Sequence, residues 1–145
     1  MANYDQPVTA AHDAAEAVRA LAHATLKFGD DAADTFDVVG QMLAITSSLA
    51  SALEHLANAH DRFSDRAIDD TTRSHDEGQK YARSAAIRLR AAARDIGNTY
   101  RLIDTATAYS ARIIWEPPTR ATEPMAPALR SRVEPVRAQG AGISL

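Results

Sequence analysis

Apolar residues recur at steps of three and four along most of the chain, the spacing that places them on one side of an α-helix. This pattern predicts three helices, at about residues 9–28, 31–63 and 72–115. The first should begin at Thr9, whose hydroxyl can accept a hydrogen bond from a free N–H group of the first turn, and end at Gly29. Its apolar stripe consists of Ala11, Ala14, Ala15, Val18, Leu21, Ala22 and Phe28.

The second predicted helix starts in an acidic cluster, where carboxylates stabilise the positive end of the helix dipole. Asp30 or Asp31 would cap it, and Asp34 and Asp37 lie in its first turns. Its predicted buried face comprises Phe36, Val39, Leu43, Leu49, Leu53, Leu56 and Phe63, widened by Val38, Met42 and Ile45.

Polar residues between Ser64 and His75 interrupt the apolar pattern and predict the turn into the third helix. Gly78 and Gly97 would each weaken that helix by about 1 kcal/mol relative to alanine. At ~1.5 Å per residue the second and third helices would span roughly 50 and 65 Å, lengths typical of an extended hairpin. The third helix should bury Tyr81, Ala85, Leu89, Ala92, Ile96, Tyr100, Ile103, Thr107 and Ile114.

Pro117 and Pro118 should end the third helix, because proline lacks the N–H group that a helix needs and restricts the residue before it. The Pro- and Arg-containing segment 116–145 is predicted to be a disordered tail. The sequence thus predicts an all-α domain over residues 1–115, an elongated antiparallel helical hairpin that the first helix completes to a three-helix bundle. Narrow alanine-rich stripes on such long helices leave apolar area uncovered, so we expect a homodimer or a partner helical protein.

The absence of cysteine removes disulfides and thiolate metal sites and fits a reducing cytoplasm. No basic stretch followed by an apolar run opens the sequence, and no uninterrupted apolar run reaches the roughly 18 residues of a membrane span. We therefore expect a cytoplasmic protein without membrane insertion. Export that does not use a signal peptide stays open.

Charge is divided unevenly along the chain. Residues 1–70 carry four basic and twelve acidic side chains, and residues 71–145 carry twelve basic and seven acidic, so the halves have net charges of −8 and +5. Six basic residues and one acid, Asp95, lie between Lys80 and Arg101. Four of them follow steps of seven, four and seven and, with Lys80, form what we call the basic ridge: Arg83, Arg90, Arg94 and Arg101. The ridge could bind the phosphates of DNA, pair with the acidic second helix, or face solvent.

Candidate catalytic and metal-binding residues are few. His12, Glu16 and His23 share one face of the first helix, but the two histidines would lie about 16 Å apart, too far to share one ion. His60 falls on the apolar side of the second helix, where we expect it to donate to a carbonyl rather than act as a proton switch. No nucleophile with a base and no glycine-rich phosphate loop is evident. We therefore predict no enzyme activity, no catalytic or metal-binding residues, no cofactor and no small-molecule substrate.

Two segments resemble the opening of small helical proteins encoded in actinobacterial conjugative and integrative elements. The first runs from Ala17 to Leu26 and the second from Ala33 to Gly40, and the likeness covers about the first 60 residues. These proteins are typically encoded beside a DNA translocase of the FtsK type. The resemblance implies a role in mobile-element transfer.

A second resemblance is to the WXG100-like helical-hairpin substrates of type VII secretion. Tyr100-Arg101-Leu102-Ile103-Asp104 fits their Tyr-x-x-x-Asp/Glu export signal, although Tyr100 also lies on the apolar stripe and could pack there. The chain lacks their Trp-x-Gly turn, since its single tryptophan is Trp115. We expect a non-enzymatic interaction or scaffold protein of a transfer or secretion apparatus, with a DNA-binding accessory protein as the alternative.

Overall fold

The computed structural model describes residues 5–29 and 32–117, and these ranges are helical without any strand. Helix α1 covers Pro7–Ala24, α2 covers Asp34–Arg62 and α3 covers His75–Ser110, with a 3-10 turn at Ser64–Arg66. The predicted all-α class is confirmed. The predicted tail lies beyond the described residues except for Glu116 and Pro117.

Helices α2 and α3 pack along each other in opposite directions. Arg90 of α3 meets Asn58 of α2, and Gly97, further along α3, shares a shallow groove with Ser51, which comes earlier in α2. The two helices therefore form an antiparallel pair. The residues along their line of contact, which we call the seam, are buried or half-buried. They follow steps of three and four, apart from one step of seven at the end of α3: Val39, Leu43, Thr46, Ala50, Leu53 and Ala57 of α2, and Ala82, Ala86, Leu89, Ala93, Ile96 and Ile103 of α3.

Alanine occupies the centre of the seam. Ala57 and Ala86 are 0% exposed and Ala93 is 6% exposed, whereas no large side chain among the described residues is fully buried. A methyl group allows two helix backbones to approach closely, so alanine fills the most buried positions of the seam and half-buried leucine and isoleucine side chains lie beside it. The cost is that each alanine removes little apolar surface from water.

The connection between α2 and α3 is fixed by hydrogen bonds around Asp69. Its carboxylate accepts from the backbone N–H of Thr72 at 2.6 Å, the hydroxyl of Thr72 at 2.8 Å and the N–H of Thr71 at 3.1 Å. These donors, foremost the Thr72 N–H, stabilise the ionised form and lower the pKa of Asp69 from its usual 3.8. Ser74 then caps α3, because its side-chain oxygen accepts from the N–H of Glu77 at 3.3 Å.

Gly78, in the first turns of α3, is pressed against this connection. A Cβ atom at this position would lie 2.6 Å from the carbonyl carbon and oxygen of Ala67 and from the carbonyl carbon of Ile68. These are backbone atoms, which cannot swing away as the end of a side chain can. The close approach therefore requires glycine.

Helix α1 contacts neither α2 nor α3, and none of its residues is buried. Three-helix packing is thus not a feature of the described residues, although the stripe from Ala11 to Ala22 is apolar as predicted. The alanine-rich stripe offers little area to bury, and α2 and α3 already cover each other's seam.

Helix boundaries differ from the predicted ones at several ends. Helix α1 begins at Pro7 rather than Thr9, because proline is favoured in the first helical position, and it ends at Ala24, before Gly29. Helix α2 begins at Asp34, while Asp30 and Asp31, its predicted caps, lie outside the described residues.

Helix α3 is shorter than predicted at both ends. It begins after the Ser74 cap instead of at Thr72, where the next residue, Arg73, has a left-handed backbone with a φ of 59°. It ends at Ser110 rather than near Trp115, ahead of the β-branched pair Ile113 and Ile114. Ile114 is 91% exposed, so no packing offsets the lower helix propensity of this segment.

Several residues that were predicted to be buried are exposed to a substantial degree. Each helix of a two-helix hairpin has a single neighbour, which can cover only part of its apolar stripe. The exposed members of the predicted faces are Phe36, Leu49, Leu56, Phe63, Tyr81, Tyr100 and Ile114.

Candidate interaction surface

The basic ridge is divided by the structure. Arg90 lies beside α2, where its guanidinium donates to Asp61 Oδ2 at 2.7 Å and Asn58 Oδ1 at 2.9 Å. Its Nε also lies 3.9 Å from Glu54 Oε2. One member of the ridge therefore pairs with the acidic second helix, which was one of the three alternatives left open by the sequence.

The other members of the ridge face solvent. Lys80, Arg83 and Arg94 are exposed, and none of them pairs with another described residue. Arg101 donates to Asn98 of its own helix. A polyanion could therefore contact Arg83 and Arg94, but Arg90 between them is already engaged by α2.

Replacing Arg90 with alanine should lower the free energy of unfolding by about 1 kcal/mol, since exposed ion pairs contribute 0 to 1 kcal/mol and this guanidinium has three partners. The loss should shrink as salt is added. Urea denaturation would measure it, with Arg94→Ala as the matched control that loses no partner. An equal loss in both variants would contradict the pairing of Arg90 with α2.

The two sides of the α2–α3 hairpin differ in chemistry. On α2 the seam separates two rows with a spacing of seven residues: Ser47, Glu54 and Asp61 on one side, and Met42, Leu49 and Leu56 on the other. On α3 the corresponding rows are Arg83, Arg90 and Gly97, and Ala85, Ala92, Thr99 and Ala106. The contact of Arg90 with Asp61 places the polar rows together, so the apolar rows share the opposite side.

We call this opposite side the apolar face, formed by Met42, Leu49, Leu56, Ala85, Ala92 and Ala106. Leu49 is 48% and Leu56 is 50% exposed, and Met42, Ala85 and Ala92 are half-buried. Neither row contains a charged residue. Large apolar side chains this exposed, in an uncharged row of a folded chain, indicate an interaction site.

The sequence predicts that the long helices leave apolar area uncovered, but it does not show where on the hairpin this area lies. Leu49 and Leu56 were assigned to the interior of the hairpin because helical spacing does not distinguish the seam from the row beside it. The available signal was the heptad step from Met42 through Leu49 to Leu56, parallel to the acidic step from Glu54 to Asp61.

The two residues of the export-signal motif lie in different surroundings. Tyr100 borders the shallow groove between the helices together with Ile96 and Gly97, and part of its surface is covered. Asp104 is exposed and has no ion-pair partner in the described part of the chain. Tyr100 is therefore only partly packed, and the role of the motif in export stays a prediction.

The histidines are on the surface. His12, Glu16 and His23 are exposed on α1, and Glu16 pairs with Arg19. Within residues 5–29 and 32–117 no group of three or more His, Cys, Asp or Glu side chains is arranged to hold a metal ion. His60 donates from Nδ1 to the Leu56 carbonyl at 2.8 Å, as expected, although the residue is exposed rather than packed.

Helix α2 is long and apolar enough, by length and composition alone, to cross a membrane, with a mean hydropathy of 1.3 in its most apolar window. The sequence pattern predicts no span, and a single such helix is weak evidence for one, because core helices of soluble proteins and signal sequences near the N-terminus have the same length and composition. Glu54 and Asp61 on the same helix pair with Arg90 of α3. These contacts favour α2 as one wall of the hairpin.

Comparison with known proteins adds no relative from which a role could be transferred. No protein-family model, curated protein or solved structure matches this chain.

Proposed function

We propose that this chain is a non-enzymatic helical interaction module that binds another helical surface through the apolar face of its hairpin. The observation that carries the proposal is the exposure of Leu49 and Leu56 beside a seam whose fully buried residues are alanine. Exposed leucines at seven-residue spacing are the contact residues of helix bundles. Contact with a partner would remove the apolar surface of these leucines from water, and a leucine buries more such surface than an alanine of the seam.

The setting that we propose is a transfer or secretion apparatus, with the protein made in the cytoplasm. The resemblance of residues 17–26 and 33–40 to helical proteins of conjugative elements supports transfer. The Tyr100–Asp104 motif supports secretion. In either setting a helical hairpin would serve as an adaptor or scaffold component whose contribution is binding rather than chemistry.

A photo-reactive amino acid placed in the apolar face tests the interaction. Introduced into the full chain in place of Leu49 or Leu56, in the native host, it should form covalent protein adducts on irradiation. Leu102 is the matched control, because it is a 73% exposed leucine outside the apolar face. Adducts of equal yield at Leu102, or none at Leu49 and Leu56, would contradict the proposal, and the adduct mass identifies the partner.

DNA binding is the second candidate. Lys80, Arg83 and Arg94 favour it, because they are exposed and form no ion pair with the part of the chain that the structure describes. We expect binding to duplex DNA to be weak at physiological salt, because Arg90 is engaged by α2 and the first half of the chain carries −8. Affinity measured against salt concentration checks this. Nanomolar binding whose salt dependence falls by about two units in a double Arg83→Gln, Arg94→Gln variant would favour the DNA-binding function instead.

A further inference from the structure

On the apolar face, the row from α2 has larger side chains than the row from α3, and each large side chain lies beside a small one. The contact between Arg90 and Asn58 sets the register of the two helices. Because the helices are antiparallel, Leu56, two residues before Asn58, lies beside Ala92, two residues after Arg90. By the same register Leu49 lies level with Thr99 and Met42 with Ala106. The α2 row is thus made of large side chains, and the α3 row beside it is made of small ones.

Few charges lie near this face. Neither row contains a charge, and the ion pairs of Arg90 lie on the other side of the hairpin. Arg88 and Asp95 border the α3 row, and because they have opposite signs they do not give the face a charge of one sign. Helix α1, the other described helix of the chain, does not cover the face.

The area of the face suits a stable dimer. The face runs from Ala85 to Ala106 on α3, roughly 32 Å at ~1.5 Å per residue, and two adjacent helices are about 20 Å wide. These dimensions give roughly 640 Å², which lies at the lower end of the roughly 600–1,000 Å² that each partner contributes to a standard stable interface.

We propose, resting on the proposed function of this face, that its partner is a second copy of this chain, related by a two-fold axis parallel to the hairpin. That axis places α2 of each copy against α3 of the other, at the same level and antiparallel. Leu56 then packs on Ala92 of the second copy, and the reverse contact repeats it. The product is a four-helix bundle in which large side chains fill the space above small ones.

A two-fold axis perpendicular to the hairpin is the other symmetric choice. It would place α2 against α2 and α3 against α3, so that leucines crowd leucines while alanines face alanines across a gap. Uneven spacing of this kind loses van der Waals contact on the alanine side. The parallel axis avoids both faults.

Cysteine cross-linking tests the contact directly, because the chain has no cysteine of its own. Full-length Leu56→Cys and Ala92→Cys variants, one of them carrying a size tag, are mixed and oxidised. The mixed disulfide should form, since the two positions face each other between copies, and neither variant alone should cross-link efficiently. Efficient cross-linking of either variant alone, without the mixed product, would overturn the arrangement.

Light scattering of the full chain at micromolar concentration should give twice the monomer mass. Leu56→Glu should halve it with helicity retained, whereas Leu102→Glu, a matched change outside the face, should leave the dimer intact. A fully helical wild-type monomer would overturn the second-copy proposal. Photo-adducts of Leu56 with a different protein would then leave the proposed function standing, and the absence of any adduct would remove both.

Discussion

Replacing Gly78 with alanine should destabilise the protein by about 1–3 kcal/mol, the usual cost of forcing extra atoms into a packed site. Intrinsic helix propensity predicts the opposite sign, a gain of about 1 kcal/mol. The close approach decides the outcome, because the new methyl group would lie 2.6 Å from backbone atoms of Ala67 and Ile68. Either the connection or the start of α3 has to move.

Gly97→Ala is the matched control for this substitution. It lies in the same helix, and a Cβ atom there would meet nothing within 4 Å. The new methyl group should therefore cause no clash. Because alanine has a higher helix propensity than glycine, the variant should be more stable than wild type by about 1 kcal/mol. Urea denaturation of both variants measures the contrast, and stabilisation by Gly78→Ala would show that the connection does not press on α3.

Enlarging the centre of the seam should have an effect of similar size. Ala86 is 0% exposed, so leucine at this position has no space unless the two helices separate. We expect Ala86→Leu to lower the free energy of unfolding by about 1–3 kcal/mol. Thermal unfolding should show a fall of several degrees, at roughly 4–8 °C per kcal/mol for a domain of 60–100 residues.

Ala108→Leu serves as the control, because Ala108 is exposed on the same helix. Its stability should change by no more than about 0.5 kcal/mol. Comparable losses in both variants would mean that the seam is not closely packed at Ala86.

The fold class and the connection after Phe63 could be predicted because they depend on local pattern. Helical spacing and the polar interruption between Ser64 and His75 are both signals within a few residues. The predicted hairpin agrees with the antiparallel packing of α2 on α3. The ends of the helices were harder to predict, because neighbouring residues offer alternative starts. Pro7 rather than Thr9 begins α1, and the Ser74 cap rather than Thr72 sets the start of α3.

The identity of the buried centre could not be predicted from spacing. A stripe of leucine and alanine shows which side of a helix is apolar but not how closely a second backbone approaches. The close approach selected Ala57 and Ala86 and left Leu49 and Leu56 beside the seam. The requirement for glycine at position 78 was equally hidden, since it depends on the backbone path of Ala67 and Ile68.

The candidate site shows the same division between local and non-local information. Sequence steps placed Arg90 and Arg94 on one ridge, and both do lie on α3. Arg90 pairs with Asp61 of another helix, about thirty residues earlier, whereas Arg94 pairs with no residue that the structure describes. Which cation pairs with it depends on the register between the helices, which no local pattern contains.

The isolation of α1 divides the chain thermodynamically. Without contacts to α2 or α3, α1 is stabilised only by the helix propensity of its own alanine-rich sequence. Its length of 18 residues is close to the roughly 12–15 residues below which isolated helices are marginal in water. Its hydrogen bonds open and close independently of the cooperative unfolding of the hairpin. Heat or denaturant therefore acts on two separate transitions within one chain, and a single melting temperature describes only the hairpin.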